Sequence, residues 1–363
     1  MRVKKDTFVQ LISNAKKAIN KSTIESFEAI KMEVNGDILK VSGSSSLMTI
    51  EGSTVVESNE DFECAVFADV LLNTITKLAT EDIDISIIQY KGQNLLRLKC
   101  NIADIKLPLV DLNNCSIRSC NDISFKECNV ESLKQFTAEC EHALDEKKND
   151  YRFSSFYITI DANNLKTIAL DGKRISTRQT SSDKITEKGF MVHGKPLREA
   201  LRIINEDVKM GLSQKNDCVV LSGKTNDCNY NIIVSLVGGE YFNVDQLLNV
   251  CNPDISVKVD KKALLNILNV SCLFDKQILH IKKGNITINC ENTTGTGEFP
   301  VNVENNIEDE KEFIIGLNGR YLKESIESLQ GEEVTMYFTN DVSPVYVFSN
   351  ENEMEMILPI KLR

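Results

Sequence analysis

One arrangement recurs three times along the chain and constrains its fold more than any other feature. It is an amphipathic helix, a break, an alternating strand, a polar turn and another strand. In the last copy, "LNGRYLKESIESLQGEEVTMYFTNDVSPVYVFS", Leu322, Ile326 and Leu329 fall at helical spacing, Gly331 marks the stop and "VTMYF" alternates. In "FADVLLNTITKLATEDIDISIIQYKGQNLLRLKC", Leu72, Ile75 and Leu78 give the helix face, "IDISII" the strand and "YKGQ" the turn before "NLLRLKC". In "HGKPLREALRIINEDVKMGLSQKNDCVVLSG", Leu197, Leu201 and Ile204 form the stripe and Pro196 sits near the first turn, with two strands following.

A second pattern precedes each copy: a short strand, a helix, then several strands. The helices are "DTFVQLISNAKKAI", "NVESLKQFTAECEHAL" and "DKKALLNILNVSCLF", entered from "MRVKK", "DISFKE" and "DISVKV". Six helix-plus-strands units result, two in each stretch of about 120 residues, a common domain size. The expected domains are 1–120, 121–250 and 251–363, with boundaries near Cys120 and Val250. So long a period does not suit a small-repeat solenoid. It predicts an α+β protein of three tandem domains, each with two helices packed on antiparallel sheets. Any α+β domain repeats helix and strand by chance; near-equal spacing and matching lead-in strands favour true repetition.

Composition narrows the class further. The 42% hydrophobic content suffices for packed cores, and with no Trp those cores must rely on Ile, Leu and Val. "MRVKKDTFVQLISNAKKAI" interleaves charge with apolar residues, unlike a signal peptide, and no run has the ~18 apolar residues of a spanning helix. A soluble, cytoplasmic protein is expected. The 11 cysteines include no CxxC, and the densest group, Cys115, Cys120, Cys128 and Cys140, is irregularly spaced. These read as free thiols of a reducing compartment rather than a metal site. His142, His193 and His280 are far apart in the sequence, the first two in the second expected domain and the last in the third, without GxSxG, HExxH or a phosphate loop. Asp171 beside Arg174 has no second acid or nucleophile. No catalytic residue, metal or cofactor is expected. The net charge of −11 argues against a protein coated in positive charge, but binding to nucleic acid depends on where Lys and Arg sit.

Four further stretches, in order on this repeat, carry a family resemblance. "LDGKRIST", from Leu170 to Thr177, looks like a TDGHRL segment, and "GGEYFNVDQLL" resembles G-x-[FY]-P-[DN]-Y. "GLNGRYLKESIESL" resembles F-N-x-x-Y-L, and the final "ILPIKLR" resembles a terminal M-P-M-R-L. Together they resemble the bacterial DNA sliding clamp, the beta subunit of DNA polymerase III, over the whole chain. The departures mark a divergent member. Lys173 stands where His is usual, Phe242 where proline is common and Gln246 where a basic residue is often found. "LPIKLR" lacks both methionines, has Lys for Arg and adds a terminal Arg. "SGSSSLMTIEG" resembles the family's G-T-D-L strand only loosely.

The resemblance implies a processivity factor: a head-to-tail homodimer closing a six-domain ring around duplex DNA. Contact with phosphate would then be sequence-independent and escape prevented by topology. DNA-facing cations would be Lys16, Lys17, Lys21, Lys134, Arg198, Arg202, Lys261, Lys262, Arg320 and Lys323, with Tyr151 and Arg152 at the mouth. Glu199 and Glu324 interrupt the pattern, and each cation alone equally suits a solvated helix face. Polymerase, clamp loader and repair proteins would dock short peptides in a groove between domains two and three. Its matching positions are Phe153, Leu170, Gly172, Lys173, Arg174, Ile175, Phe242, Gln246, Leu247, Phe274, Asn318, Tyr321, Val342, Leu358, Pro359 and Ile360. There Gly172 would permit a tight turn, Arg174 would donate to peptide carbonyls, and Leu247 and Ile360 would form walls. Leu358 and Ile360 in place of Met, with Phe242 for proline, predict a narrower or altered peptide preference. "DGKR" alone would read as a plain β-turn. The seam would use Ile105 and Leu107 of "DIKLPL", with a counterpart near Leu268; a buried core strand is the rival reading of "DIKLPL". The competing function is a clamp-like scaffold that has lost ring closure or DNA encirclement.

Overall fold

The computed structural model describes residues 1–19, 28–112, 115, 117–120, 122–126, 129–161, 164–181, 189–215, 217–248, 253–274, 276–293 and 295–362. The six expected helices are present: α1 (Lys5–Lys16), α2 (Ala68–Thr76), α3 (Val130–Cys140), α4 (Gly194–Ile203), α6 (Lys261–Ser271) and α7 (Gly319–Ser328). A short seventh, α5 (Val244–Leu248), was not read from the sequence. The lead-in strands form as expected, at Arg2–Lys4, Ile123–Lys126 and Ile255–Asp260. Paired helices with antiparallel sheets throughout make this an α+β protein. By contact the chain groups into two compact units, 1–130 with 195–236, and 131–194 with 237–363.

In the first unit, a continuous antiparallel sheet runs from Phe62–Phe67 through Ala29–Asn35, Ile38–Ser44 and Met48–Val55 to Cys228–Val237. It continues through Cys218–Thr225 and Glu206–Ser213 to Ile123–Lys126. Strands more than 170 residues apart thus join at the Met48–Val55 register, where Ile50 faces Ile232. The α1 stripe of Phe8, Leu11, Ile12 and Ala15 is buried at helical spacing. Gly43 lets it settle: a Cβ there would collide with the Ala15 carbonyl. A second sheet orders Arg2–Lys4, Asp82–Tyr90, Gln93–Cys100 and Ala103–Pro108, leaving Ala103–Pro108 at the edge. Lys91 (φ 52°) and Gly92 (φ 80°) make the hairpin turn that "YKGQ" predicts, because paired positive φ angles match strand twist.

In the second unit, one sheet runs Phe190–His193, Ser155–Asp161, Asn164–Leu170, Arg174–Gln179, Glu353–Ile357, Val345–Asn350, Glu333–Phe338 and Ile255–Asp260. The other orders Gly295–Asn302, Asn285–Asn292, Lys276–Lys282 and Phe313–Leu317. Leu264 and Leu268 of α6 and Leu322 and Ile326 of α7 fill the core with both sheets. Side-chain oxygens start both helices: Asp260 accepts from the Ala263 N–H at 2.6 Å, Asn318 from the Tyr321 N–H at 3.2 Å. Gly331 is not the stop expected of it. α7 ends at Ser328, and the Lys261 ammonium bonds the carbonyls of Glu327 and Leu329 at that end.

Candidate functional site

The site grows from the "DGKR" turn between Asn164–Leu170 and Arg174–Gln179. Asp171 Oδ1 accepts from the N–H groups of Lys173 (2.8 Å) and Arg174 (2.9 Å), closing an Asx-type turn. Gly172 has φ +80°, and a Cβ there would lie 3.0 Å from Lys148 Nζ and 3.2 Å from the Phe153 ring. The backbone favours glycine here, and a Cβ would also crowd the Phe153 ring.

Arg174 does not reach out as the sequence suggests. It is 6% exposed, and its Nε donates to Asp171 Oδ2 (3.0 Å) and its Nη1 to Glu324 Oε2 (2.6 Å). Nη2 takes the His142 carbonyl, and the guanidinium lies over the Tyr321 ring, 4.4 Å from its centroid. Arg174 therefore braces the turn against α7 rather than offering donors to a ligand. Burial would raise the Glu324 carboxyl, but Arg320 and Arg174 outweigh it and hold it below the usual range.

Several expected residues meet around this turn. The Leu358 N–H bonds the Lys173 carbonyl at 2.9 Å, and the Ile360 N–H bonds the Gly316 carbonyl at 2.9 Å. These bonds bring the chain's final stretch to both "DGKR" and the entry to α7. Leu170 and Ile175 are buried in one apolar cluster, with Phe153 and Phe242 packed against it. The Phe153 and Phe242 rings lie 5.1 Å apart, and Tyr241 stacks on Tyr157 at 4.9 Å. Cations cover two of these rings: Lys148 Nζ lies 3.9 Å from the centre of Phe153, and the Arg152 guanidinium 4.2 Å from that of Phe242. Leu358 is exposed next to half-buried Pro359 and Ile360, and Leu247 is exposed on α5, its carbonyl accepting from the Tyr346 hydroxyl at 3.5 Å. Gln246 is exposed on α5, and Val342 is exposed in a turn closed by Asn340. Phe274 is half-buried, its carbonyl taking the Gln277 amide at 2.9 Å. No contact ties these last three to the turn among the described residues. Sequence reasoning missed Tyr346 and Met356, buried in the same cluster as Leu170 and Ile175. Strand alternation places them, but only strand pairing reveals which face meets the turn.

Beneath the turn lies a buried ionic knot that no motif announces. Arg178 and Glu355 have no exposed side-chain surface and pair at 2.8 Å. Arg178 Nε reaches Glu139 Oε2 at 3.0 Å, and the Ser176 hydroxyl donates to Glu355 Oε1 at 2.7 Å. Both His142 ring nitrogens meet oxygens, the Glu139 carbonyl at 2.9 Å and Glu355 Oε2 at 3.0 Å. Burial alone would push the Glu355 carboxyl up; His142 and Arg178 reverse it, so it lies below the usual range.

The expected DNA-facing cations mostly sit beside carboxylates. In the first unit Lys16 pairs with Asp69, while Lys17 (3.9 Å) and Arg202 (3.4 Å) share Glu199. Arg198 is half-buried; burial and Arg202 lower its pKa. Lys21 lies outside the described residues. In the second unit Arg320 pairs with Glu324 (2.8 Å), Lys323 with Glu327 (3.2 Å) and Arg152 with Asp150 (2.6 Å). Lys261 is committed to the end of α7, Lys134 is half-buried and Lys262 is exposed. Tyr151 is 64% exposed, its ring edge-on to His193. Of the seam residues, Ile105 and Leu107 lie on the edge strand Ala103–Pro108 as expected, half-buried and buried respectively. Leu268 is wholly buried in the α6 core, so a partner cannot touch it. Val270 and Leu273 nearby are the exposed apolar residues instead. Among the described residues, no His, Cys, Asp and Glu group of three or more is placed to hold a metal, and no helix is long and apolar enough to cross a membrane.

Helix pairs laid on antiparallel sheets, with an aromatic-lined turn meeting the chain's end, define the DNA-clamp class of fold. The profile of the DNA polymerase III beta subunit, N-terminal domain, matches residues 1–115. Beta sliding clamps of Streptococcus pneumoniae and Staphylococcus aureus are each 20% identical, covering 99% of this chain and 98% of theirs. A DNA polymerase III beta subunit of Pseudomonas aeruginosa superposes with TM-score 0.87 at 18% identity, covering 100% of both chains. The C. crescentus beta sliding clamp gives 0.89 at 16% identity, covering 99% of this chain and 98% of its own. Residues 1–115 thus match the N-terminal domain of the DNA polymerase III beta subunit, and the whole chain has the fold of the bacterial sliding clamps, which it resembles at low identity.

Proposed function

We propose that this protein is a processivity factor: two copies join head to tail, close around duplex DNA, and tether a DNA polymerase through the site at the "DGKR" turn. Its domains are 1–120, 121–250 and 251–363, so the dimer contributes six to the ring. The clamp loader and repair proteins use the same groove. The observation that carries the reading is the Leu358–Lys173 backbone bond. It seats two of the family-like stretches, nearly 190 residues apart, on one aromatic-lined surface. Such a surface suits apolar peptide anchors with a few orienting polar groups. The seam uses the free edge of Ala103–Pro108 in one copy and the edge strand Gly295–Asn302 in the next, since an unpaired edge is a template for strand addition. Lys106 on the first and exposed Glu298 on the second are of opposite charge.

The test of encirclement is topological. Protein loaded on a nicked circular plasmid should be retained, and should be lost when the circle is cut. Equal retention on linear DNA overturns the reading. Titration of a clamp-binding polymerase peptide by calorimetry tests the groove; the Phe242, Leu358 and Ile360 replacements predict weaker or altered binding, and ordinary affinity refutes that. A clamp-like scaffold without a closed ring is the second reading. The net charge of −11 and the carboxylates beside most candidate DNA-facing cations favour it. Sedimentation separates the two, a dimer supporting the ring and a monomer the scaffold.

A further inference from the structure

The cysteine group around residues 115–140 has no part in that function, yet one member has a close partner. Cys120 Sγ lies 3.4 Å from Cys218 Sγ, across 98 residues of sequence. This is the one pair of thiols in such contact among the described residues. Cys218 begins the strand Cys218–Thr225 and is buried with Val220 and Ile233, while half-buried Cys120 and Ile123 pack on that cluster. Two polar anchors hold the sulfurs in place. Arg118, two residues from Cys120, bonds Asp217 Oδ2 and the Ser235 hydroxyl, each at 2.7 Å. These are the residue before Cys218 and the residue opposite it across the ladder. The Ser213 hydroxyl in turn accepts from the N–H groups of Asp217 (3.0 Å) and Cys218 (3.3 Å).

We propose that Cys120 and Cys218 form a reversible disulfide, a redox modification site that fastens the segment before Ile123–Lys126 to the sheet face. A disulfide needs its sulfurs about 2.05 Å apart. Cys120 lies outside any strand, so it can close that gap without disturbing a ladder. The oxidant is a small-molecule disulfide such as oxidised glutathione. The Cys120 thiolate attacks one of its sulfurs and expels a thiolate, leaving a mixed disulfide. Cys218, losing its proton to solvent, then attacks Cys120 Sγ and expels the second small thiol. Two electrons and two protons pass from the protein to the small disulfide. Exposure sets the order: Cys120 meets solvent, whereas Cys218 is 1% exposed and burial pushes its thiol up to about 11. The closed loop reduces the freedom of the unfolded chain.

The site is independent of the proposed clamp function, and its test needs neither DNA nor peptide. Folded full-length protein is incubated with oxidised glutathione, alkylated, digested and mapped by mass spectrometry without reductant. The expected product is one cross-linked peptide pair containing Cys120 and Cys218, lost on adding dithiothreitol, with the oxidised protein melting several degrees higher. Cys120→Ser should abolish the cross-link and leave the melting of the reduced protein unchanged. Because Cys218 is in the core, the Cys120 variant carries the control whether or not Cys218→Ser folds. A cross-link that maps to other cysteines or persists in Cys120→Ser overturns the proposal. So does native protein that keeps both thiols.

Discussion

Each unit contains a junction where two strands far apart in sequence pair to make one sheet, and the two junctions are built from opposite materials. In the first, Met48, Ile50, Ile232 and Val234 are almost wholly buried along the ladder between Met48–Val55 and Cys228–Val237. In the second, Arg174–Gln179 pairs with Glu353–Ile357, and its centre is an ion pair, Arg178 with Glu355, joined by the Ser176 hydroxyl and by the His142 ring from outside the ladder. An apolar junction gains free energy from burial and tolerates small shifts. An ionic one has repaid desolvation only when every partner is in place. The ionic knot lies directly under the turn that carries Arg174. His142 bonds Glu355 through its ring and Arg174 through its carbonyl, so the knot holds the arginine that holds the site. Geometry is what this second junction supplies, and geometry is what the proposed peptide groove would need.

Removing one charge should break the comparison most sharply. Glu355→Ala leaves Arg178 buried beside a gap, and about 3–5 kcal/mol of stability should be lost in urea unfolding. Peptide binding should fall with it. An apolar pair, Arg178→Met with Glu355→Leu, should restore much of the stability but not the binding. If the double variant bound peptide normally, the knot would have no positioning role. Ile232→Ala in the apolar junction should cost about 2–4 kcal/mol through lost burial and a cavity. Its effect should be confined to stability, with peptide affinity in the folded protein unchanged. Acid gives the smallest and most graded effect. The folded Glu355 carboxyl lies below its unfolded range, so its contribution is present above that range, about pH 4.3, and is lost as pH falls through the folded value. Glu355→Gln should flatten that part of the stability profile, as followed by circular dichroism at fixed urea, while Ile232→Ala should leave its shape unchanged.

Much of this fold was legible along the chain. Apolar spacing marked six helices, alternation marked the strands, and "YKGQ" and "DGKR" marked turns, because each depends on residues within a few positions of one another. The short helix α5 lacked a full apolar period and was missed. Gly331 reads as a helix stop, but α7 ends three residues earlier, where the Lys261 side chain satisfies its last carbonyls. The candidate site was half legible. Phe153, Leu170, Ile175 and Phe242 do share one cluster, but Tyr346, Met356 and the knot beneath them carry no local signature. Arg174 and Lys261 look like free cations in the sequence and prove to be internal struts.

By itself the sequence determined the elements: where helices and strands begin, which faces turn inward, and where glycine is favoured, as at Gly172. Those are consequences of short-range sterics and of burial patterns repeating every two or every 3.6 residues. Only the tertiary structure decided which strands meet across long stretches of chain, and with them which charges are spent inside. Pairing Ser176 with Glu355, or Cys120 with Cys218, depends on closing loops of 179 and 98 residues, far longer than the two- and 3.6-residue periods that set the elements. A charged residue reads the same in one dimension whether its partner is water or a buried carboxylate.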